Sequence, residues 1–184
     1  MKLATLFRRR DPAAATLYGL IVAQARQRAF YLAGVPDTVQ GRYEMIALHM
    51  FLVLHRLKRQ GGPSADLAQD LFDLLFQDMD RNLRELGTGD LAVGKRIKAL
   101  AQGLYGRIAA YEKGLQAAAE LEQALARNVF PHLAPPPVLL ADLAEYLRCQ
   151  AAGLAAQSYD EIAQGRIAFI MPNMAPGPIA MPRK

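Results

Sequence analysis

Apolar residues recur at three- and four-residue spacing along most of the chain, and clusters of Gly, Pro, Ser and Asp interrupt them. That spacing is the period of an amphipathic helix. Asp11-Pro12 pairs an N-cap residue with proline at the first helical position. It predicts a helix to about Leu32, with a stripe of Leu17, Leu20, Ile21, Ala25 and Tyr31. Gly34-Val35-Pro36 breaks the chain, and Asp37 or Thr38 caps a second helix that runs to about Gln60. From Tyr43 to Leu54 only Glu44 and His49 interrupt its apolar residues, so it is either central in the core or partly kept for a ligand.

Gly61-Gly62-Pro63-Ser64 ends that helix and caps the next, over about 65–86. Its stripe of Ala68, Leu71, Phe72, Leu75, Met79, Leu83 and Leu86 opposes a polar face of Asp66, Asp70, Asp73, Gln77 and Asp80. After Gly87-Thr88-Gly89-Asp90, a helix from Leu91 to about Tyr111 turns Val93, Ile97, Leu100, Leu104, Ile108 and Tyr111 inward. Gly94, Gly103 and Gly106 within it imply close helix contact or a bend. Helices over about 115–129 and 138–157 flank a stiff connector, Pro131 to Pro137. The second of them buries Leu139, Leu143, Tyr146, Leu147 and Leu154, and a short turn of helix follows near 159–164. The tail from Arg166 carries four prolines in 19 residues and reads as extended, docked by Ile167, Phe169 and Ile170 and then frayed.

The fold class is therefore all-α: a compact bundle of about six helices with an extended Pro-rich C-terminal tail. It divides into a basic N-terminal segment (1–11), a helical domain (12–165) and the tail (166–184). Composition agrees, since 32 Ala and 27 Leu stand against 19 Val, Ile and Thr together among 184 residues. Mean hydropathy is +0.04, yet no run of apolar residues is long enough to span a bilayer. The absence of a secretory pattern at the N-terminus implies a cytoplasmic protein, peripheral at most to the inner face of a membrane.

The net charge of +5 conceals alternating blocks: +7 over 1–60, −5 over 61–90, +4 over 91–114, −4 over 115–165 and +3 beyond. Such a surface steers partners or lies against acidic lipid. The segment Met1–Arg10, with Arg8-Arg9-Arg10 behind a few apolar residues, has the composition of a weak bilayer contact. Aromatic residues do not interleave with the basic clusters, which excludes sequence-specific nucleic-acid readout.

Candidate chemistry is sparse. Gly89-Asp90-Leu91-Ala92-Val93-Gly94-Lys95-Arg96 fits the phosphate-loop pattern until its last place, where Arg96 stands for the Ser or Thr that would hold magnesium. Asp78 and Asp80, two apart on a helix, diverge and instead suit pairing with Arg81 or Asn82 and with Arg84. His49 and His55, six apart, do not make a metal pair and read as core or rim residues. Cys149 reads as a small buried apolar residue. Neither an enzyme nor a cofactor nor a metal site follows from these residues.

Three strings carry a family resemblance: Gly41-Arg42-Tyr43-Glu44 leading into Leu48–Leu52, Phe72–Gly87, and Gly89–Arg96 continuing to Tyr105-Gly106-Arg107. Between about Leu17 and Tyr111 the chain resembles the ubiquinol–cytochrome c chaperones, in their bacterial form; beyond about 115 it carries no mark of them. The resemblance implies a non-catalytic, all-helical assembly factor of the cytochrome bc1 complex, with newly made cytochrome b as client. It also implies a ribosome surface as a further contact, beside the anionic membrane surface that the charge pattern suggests. Such a client needs apolar surface, for which Tyr43, Phe51, Phe72 and Phe76 are the candidates. Lys95, Arg96 and Lys98 are the candidates for an anionic partner. The competing reading is a helical adaptor or regulatory protein that binds a soluble partner.

Overall fold

The carboxylate of Asp11 accepts the Ala13 amide at 2.9 Å and opens α1, Pro12–Ala25. The helix stops earlier than the periodicity predicts, because Gln27 adopts an extended ψ of 125° and a separate short helix, α2 (Arg28–Ala33), follows. The break re-aims the chain. Phe30 becomes fully buried, whereas Tyr31 stays half-buried and its hydroxyl donates to the Ala25 carbonyl at 2.9 Å. The computed structural model describes residues 11–85, 87 and 89–177. The basic segment Met1–Arg10, the stripe residue Leu86 and the last seven residues of the tail lie outside the described residues.

Thr38 caps α3 (Val39–Lys58), its hydroxyl accepting the Gly41 amide at 3.1 Å. A Cβ on Gly41 would stand 2.0 Å from the Pro36 carbonyl oxygen, so the entry into α3 admits only glycine. Of the two roles open to α3, the structure takes the central one: it is buried nearly all round and touches α1, α4, α5, α6 and α7. A 3-10 turn, Gly62–Ser64, follows, and the Ser64 hydroxyl donates to the Leu57 carbonyl at 2.6 Å. The remaining helices are α4 (Ala65–Glu85), α5 (Asp90–Gly114), α6 (Ala118–Val129), α7 (Pro137–Ala156) and the single turn α8 (Tyr159–Ala163). Among the described residues the fold is all-α, with six helices of 12 residues or more and two short ones.

Three expectations are corrected. Asp70 is buried, not on a solvated face, because α1 lies across α4 and the Asp11 amide donates to Asp70 Oδ2 at 3.0 Å. Cys149 is exposed and its thiol lies 3.3 Å from Glu145 Oε1, since α7 buries the Leu143 and Leu147 side instead. Gly94 and Gly106 face open space, and a Cβ on Gly103 would meet only the Arg107 guanidinium of its own helix, at 2.7 Å; the close approach of α5 to another helix is at Gly114, where a Cβ would stand 2.7 Å from Leu121 Cα of α6.

Helices α3 and α7 run parallel. His49 meets Tyr146, and about two turns further along α3 and about two to three turns further along α7 Arg56 donates to the carbonyls of Leu154 and Gln157 at 3.0 Å. Arg56 thereby caps the C-terminal pole of α7, while neither α3 nor α7 carries an acid in its first turn.

The extended tail stays docked further than expected. Gln157 pairs with both the amide and the carbonyl of Ala168 at 2.8 Å, and Gln150 does the same with Ile170 at 3.1 and 2.5 Å. The Gly177 amide then donates to Leu32 at 2.9 Å, so the segment crosses from the end of α7 to α2.

Candidate functional site

The two polar residues that interrupt the apolar run of α3 are both buried and both paired. Glu44 accepts Nε and Nη2 of Arg107 side-on, each at 2.5 Å, and also accepts from Gln40. The Arg107 guanidinium lies 5.6 Å from the centre of the Tyr43 ring. Burial pushes the Tyr43 phenol up to about 12 although Arg107 opposes it.

His49 sits in the core. A carbonyl can only accept, so His49 Nδ1–H donates to Met45 O at 2.7 Å and Nε2 accepts the Tyr146 hydroxyl at 2.8 Å. Gln24 completes the chain by donating to Tyr146 and to the tail carbonyl of Ile170, both at 2.9 Å. Phe30, Tyr146 and Phe169 surround the imidazole edge-on at 5.6, 5.7 and 5.7 Å. Burial holds its pKa down to about 4. His55 is the rim residue of the two: its Nδ1 lies 3.8 Å from Glu112, and burial outweighs that carboxylate to lower its pKa.

Tyr43 and Phe51, candidates for partner contact, are core side chains. Phe51 packs its ring 5.4 Å from that of Tyr111, and Tyr43 and Phe51 are both buried. Phe72 and Phe76 differ: they are half-buried and stacked at 6.4 Å, and Phe72 lies 5.6 Å from Tyr105. Tyr105 is 61% exposed. Together with Leu54, Ala68 and Ile108, Phe72 and Tyr105 line an apolar groove of about 400 Å³ between α3, α4 and α5. His55, Lys58 and Glu112 form its polar rim, with Lys58 Nζ 2.9 Å from both carboxylate oxygens of Glu112.

Lys95, Arg96 and Lys98 are exposed near the start of α5. Lys98, Tyr105 and Glu112 are spaced by seven, so one face of α5 carries a cation, the exposed ring and the groove rim. The phosphate-loop likeness dissolves, because Gly89 is the N-cap of α5 and Asp90 to Lys95 are already helical. The turn before it is tied down locally as expected. Arg81 reaches Asp78 at 2.5 Å, Asn82 reaches the Asp78 carbonyl at 2.8 Å and Arg84 reaches Asp80 at 2.7 Å. Tyr18 also donates to Asp78 at 2.9 Å, a long-range contact the sequence did not disclose.

An all-helical bundle with a rimmed apolar groove, and with no described helix long and apolar enough to cross a membrane, is the class these observations define. Residues 32–169 match the ubiquinol–cytochrome c chaperone family, and the chain belongs to it. The match begins later than the resemblance described above and extends well beyond it, through α6, α7 and α8 to Phe169. The fold is similar to the crystal structure of the Cbp3 homolog from Brucella abortus, with a TM-score of 0.79 and 41% identity over 92% of this chain and 97% of that one. Ubiquinol-cytochrome c reductase complex assembly factor 1 of mouse is 25% identical over 140 residues, 75% of this chain and 48% of the mouse protein. The human protein of the same name is also 25% identical, over 75% of this chain and 47% of its own length. The chain thus spans about half the length of these curated relatives.

Proposed function

We propose that this protein is a non-catalytic assembly chaperone for the cytochrome bc1 complex, with newly made cytochrome b as its client. Membership of the chaperone family and the names of its curated relatives support this reading. The observation that carries it to a surface is the groove beside Phe72 and Tyr105. Here the chain exposes aromatic area that its own core leaves uncovered. An apolar segment of the client would seat in the groove, with Phe76 extending the aromatic floor. Lys95, Arg96 and Lys98 would engage acidic loops of the same client or another anionic partner.

Deletion is expected to lower the level of assembled bc1 complex while leaving other respiratory complexes intact, read on native gels. Unchanged bc1 complex, with capture of a soluble partner instead, would establish the adaptor reading. F72D and Y105D are each expected to weaken co-purification of cytochrome b about tenfold or more, as loss of a central aromatic contact does. Helicity by circular dichroism should not change. Full retention of cytochrome b by both variants would move the client away from this groove. The triple reversal K95E/R96E/K98E should reduce cytochrome b association in a salt-dependent manner; indifference would remove these cations from the interface.

A further inference from the structure

One end of the bundle combines a cluster of arginines with exposed aliphatic side chains. Arg26, Arg28 and Arg42 line a cavity of about 430 Å³ together with Tyr31, Leu32 and Asp37. Arg42 is held by Asp37 at 2.6 Å, but Arg26 and Arg28 have no ion pair among the described residues. On the α4 side the bordering acids are Asp78 and Glu85, and Asp78 is already bound by Tyr18 and Arg81.

Leu32 is 52% exposed, Val39 is 70% exposed and Val138 is 65% exposed. All three belong to this end. Val39 shares a second cavity with Arg26 and Arg42, and Val138 adjoins Leu139, whose Cδ2 would lie 3.2 Å from a Cβ on Gly34. Because α3 and α7 are parallel, their positive poles reach the same end; neither carries an acid in its first turn, and Asp37 before the α3 cap is held by Arg42. The tail is anchored here as well, through the Gly177 amide on the Leu32 carbonyl.

Arginines beside protruding aliphatic side chains suit a surface that is negatively charged outside and apolar a few ångströms deeper. Nucleic acid would ask for exposed rings to stack on bases, whereas Tyr31 is committed to the Ala25 carbonyl and the exposed residues are Leu and Val. We infer that this end, formed by α2 and the starts of α3 and α7, docks the protein onto an anionic lipid bilayer. Arg26 and Arg28 meet the headgroups, and Leu32, Val39 and Val138 dip beneath them. The surface is separate from the groove and from Lys95, Arg96 and Lys98, and the inference does not depend on which client the groove holds.

The test is flotation of the full chain with vesicles of phosphatidylcholine alone or mixed with equal parts of phosphatidylglycerol, without any client present. Binding is expected only to the anionic vesicles and should weaken with salt. R26Q/R28Q is expected to lower partitioning roughly tenfold or more, following the contribution of each basic residue near such a surface. L32S/V39S should lower it by a smaller factor, chiefly in the part that survives high salt. K95E/R96E/K98E should float like the parent chain. Failure to bind anionic vesicles would overturn the inference. So would binding abolished by the α5 reversal and untouched by R26Q/R28Q. Loss of ribosome or RNA association in R26Q/R28Q with vesicle binding unchanged would reassign the patch to nucleic acid. Levels of bc1 complex in cells carrying these variants report separately on the client reading.

Discussion

Replacing Arg107 by methionine is expected to destabilise the protein by about 3–5 kcal/mol, since it leaves a buried carboxylate without its counter-charge. Glu44 is fully buried on the central helix, and apart from Arg107 its one side-chain donor among the described residues is the neutral Gln40. For a domain of this size the loss corresponds to a fall in Tm on the order of 10 °C. Glu44→Met should cost less, because the released guanidinium is 18% exposed and can turn towards water. The double variant E44M/R107M should recover much of the loss, as apolar replacement of a buried ion pair commonly does. A thermal melt of the four proteins closes the cycle. A fall of less than about 2 °C in R107M would mean that the packing of Leu104 and Tyr111 alone holds α5 against α3.

Acid should unfold the protein from the centre outwards. His49 is neutral when folded, with a pKa of about 4, whereas the unfolded imidazole titrates at its ordinary value of 6.5. Above pH 6.5 neither state takes up the proton and stability is at its plateau. Between 6.5 and about 4 only the unfolded chain binds it, so stability falls with pH by a total of about 3 kcal/mol. Below about 4 this contribution stops changing. His55 titrates in the same sense, because its pKa is lowered too. His49→Gln keeps the hydrogen bonds in principle, its amide donating to Met45 O and accepting from Tyr146, and it cannot titrate. Urea unfolding at pH 7, 5.5 and 4.5 should show the variant losing markedly less stability than the parent. Equal losses would place the titration elsewhere.

What the sequence disclosed was mostly local. The caps Asp11 and Thr38, the six long helices and the pairs Asp78–Arg81 and Asp80–Arg84 all follow from neighbours within a turn. The break after α1 was hidden, since Arg26 and Gln27 are sound helix formers and only the demand of Phe30 for the core decides it. Cys149 and Asp70 were misplaced because one helix face can be buried over part of its length and open over the rest. The partner of Glu44 lies 63 residues away, although a clue existed: Arg107 falls between Leu104 and Tyr111 on the inner stripe of α5, where a lone cation needs a buried acid. Tyr105 left no such trace. It lies off that stripe, and its importance comes from Phe72 on another helix.

The tail has a consequence for the order in which this protein can be completed. Gln24, His49, Tyr146 and Gln150 form one polar chain through the core, and its outer link is the backbone of Ile170. Those tail residues are translated after every helix they close upon. Until Phe169 and Ile170 emerge and dock, the centre of the bundle has two glutamine amides without their backbone partner and an imidazole that Phe169 does not yet cover. A chain without that segment can hold its helices but not a finished core, so the docking of Phe169 and Ile170 is the step that seals the interior.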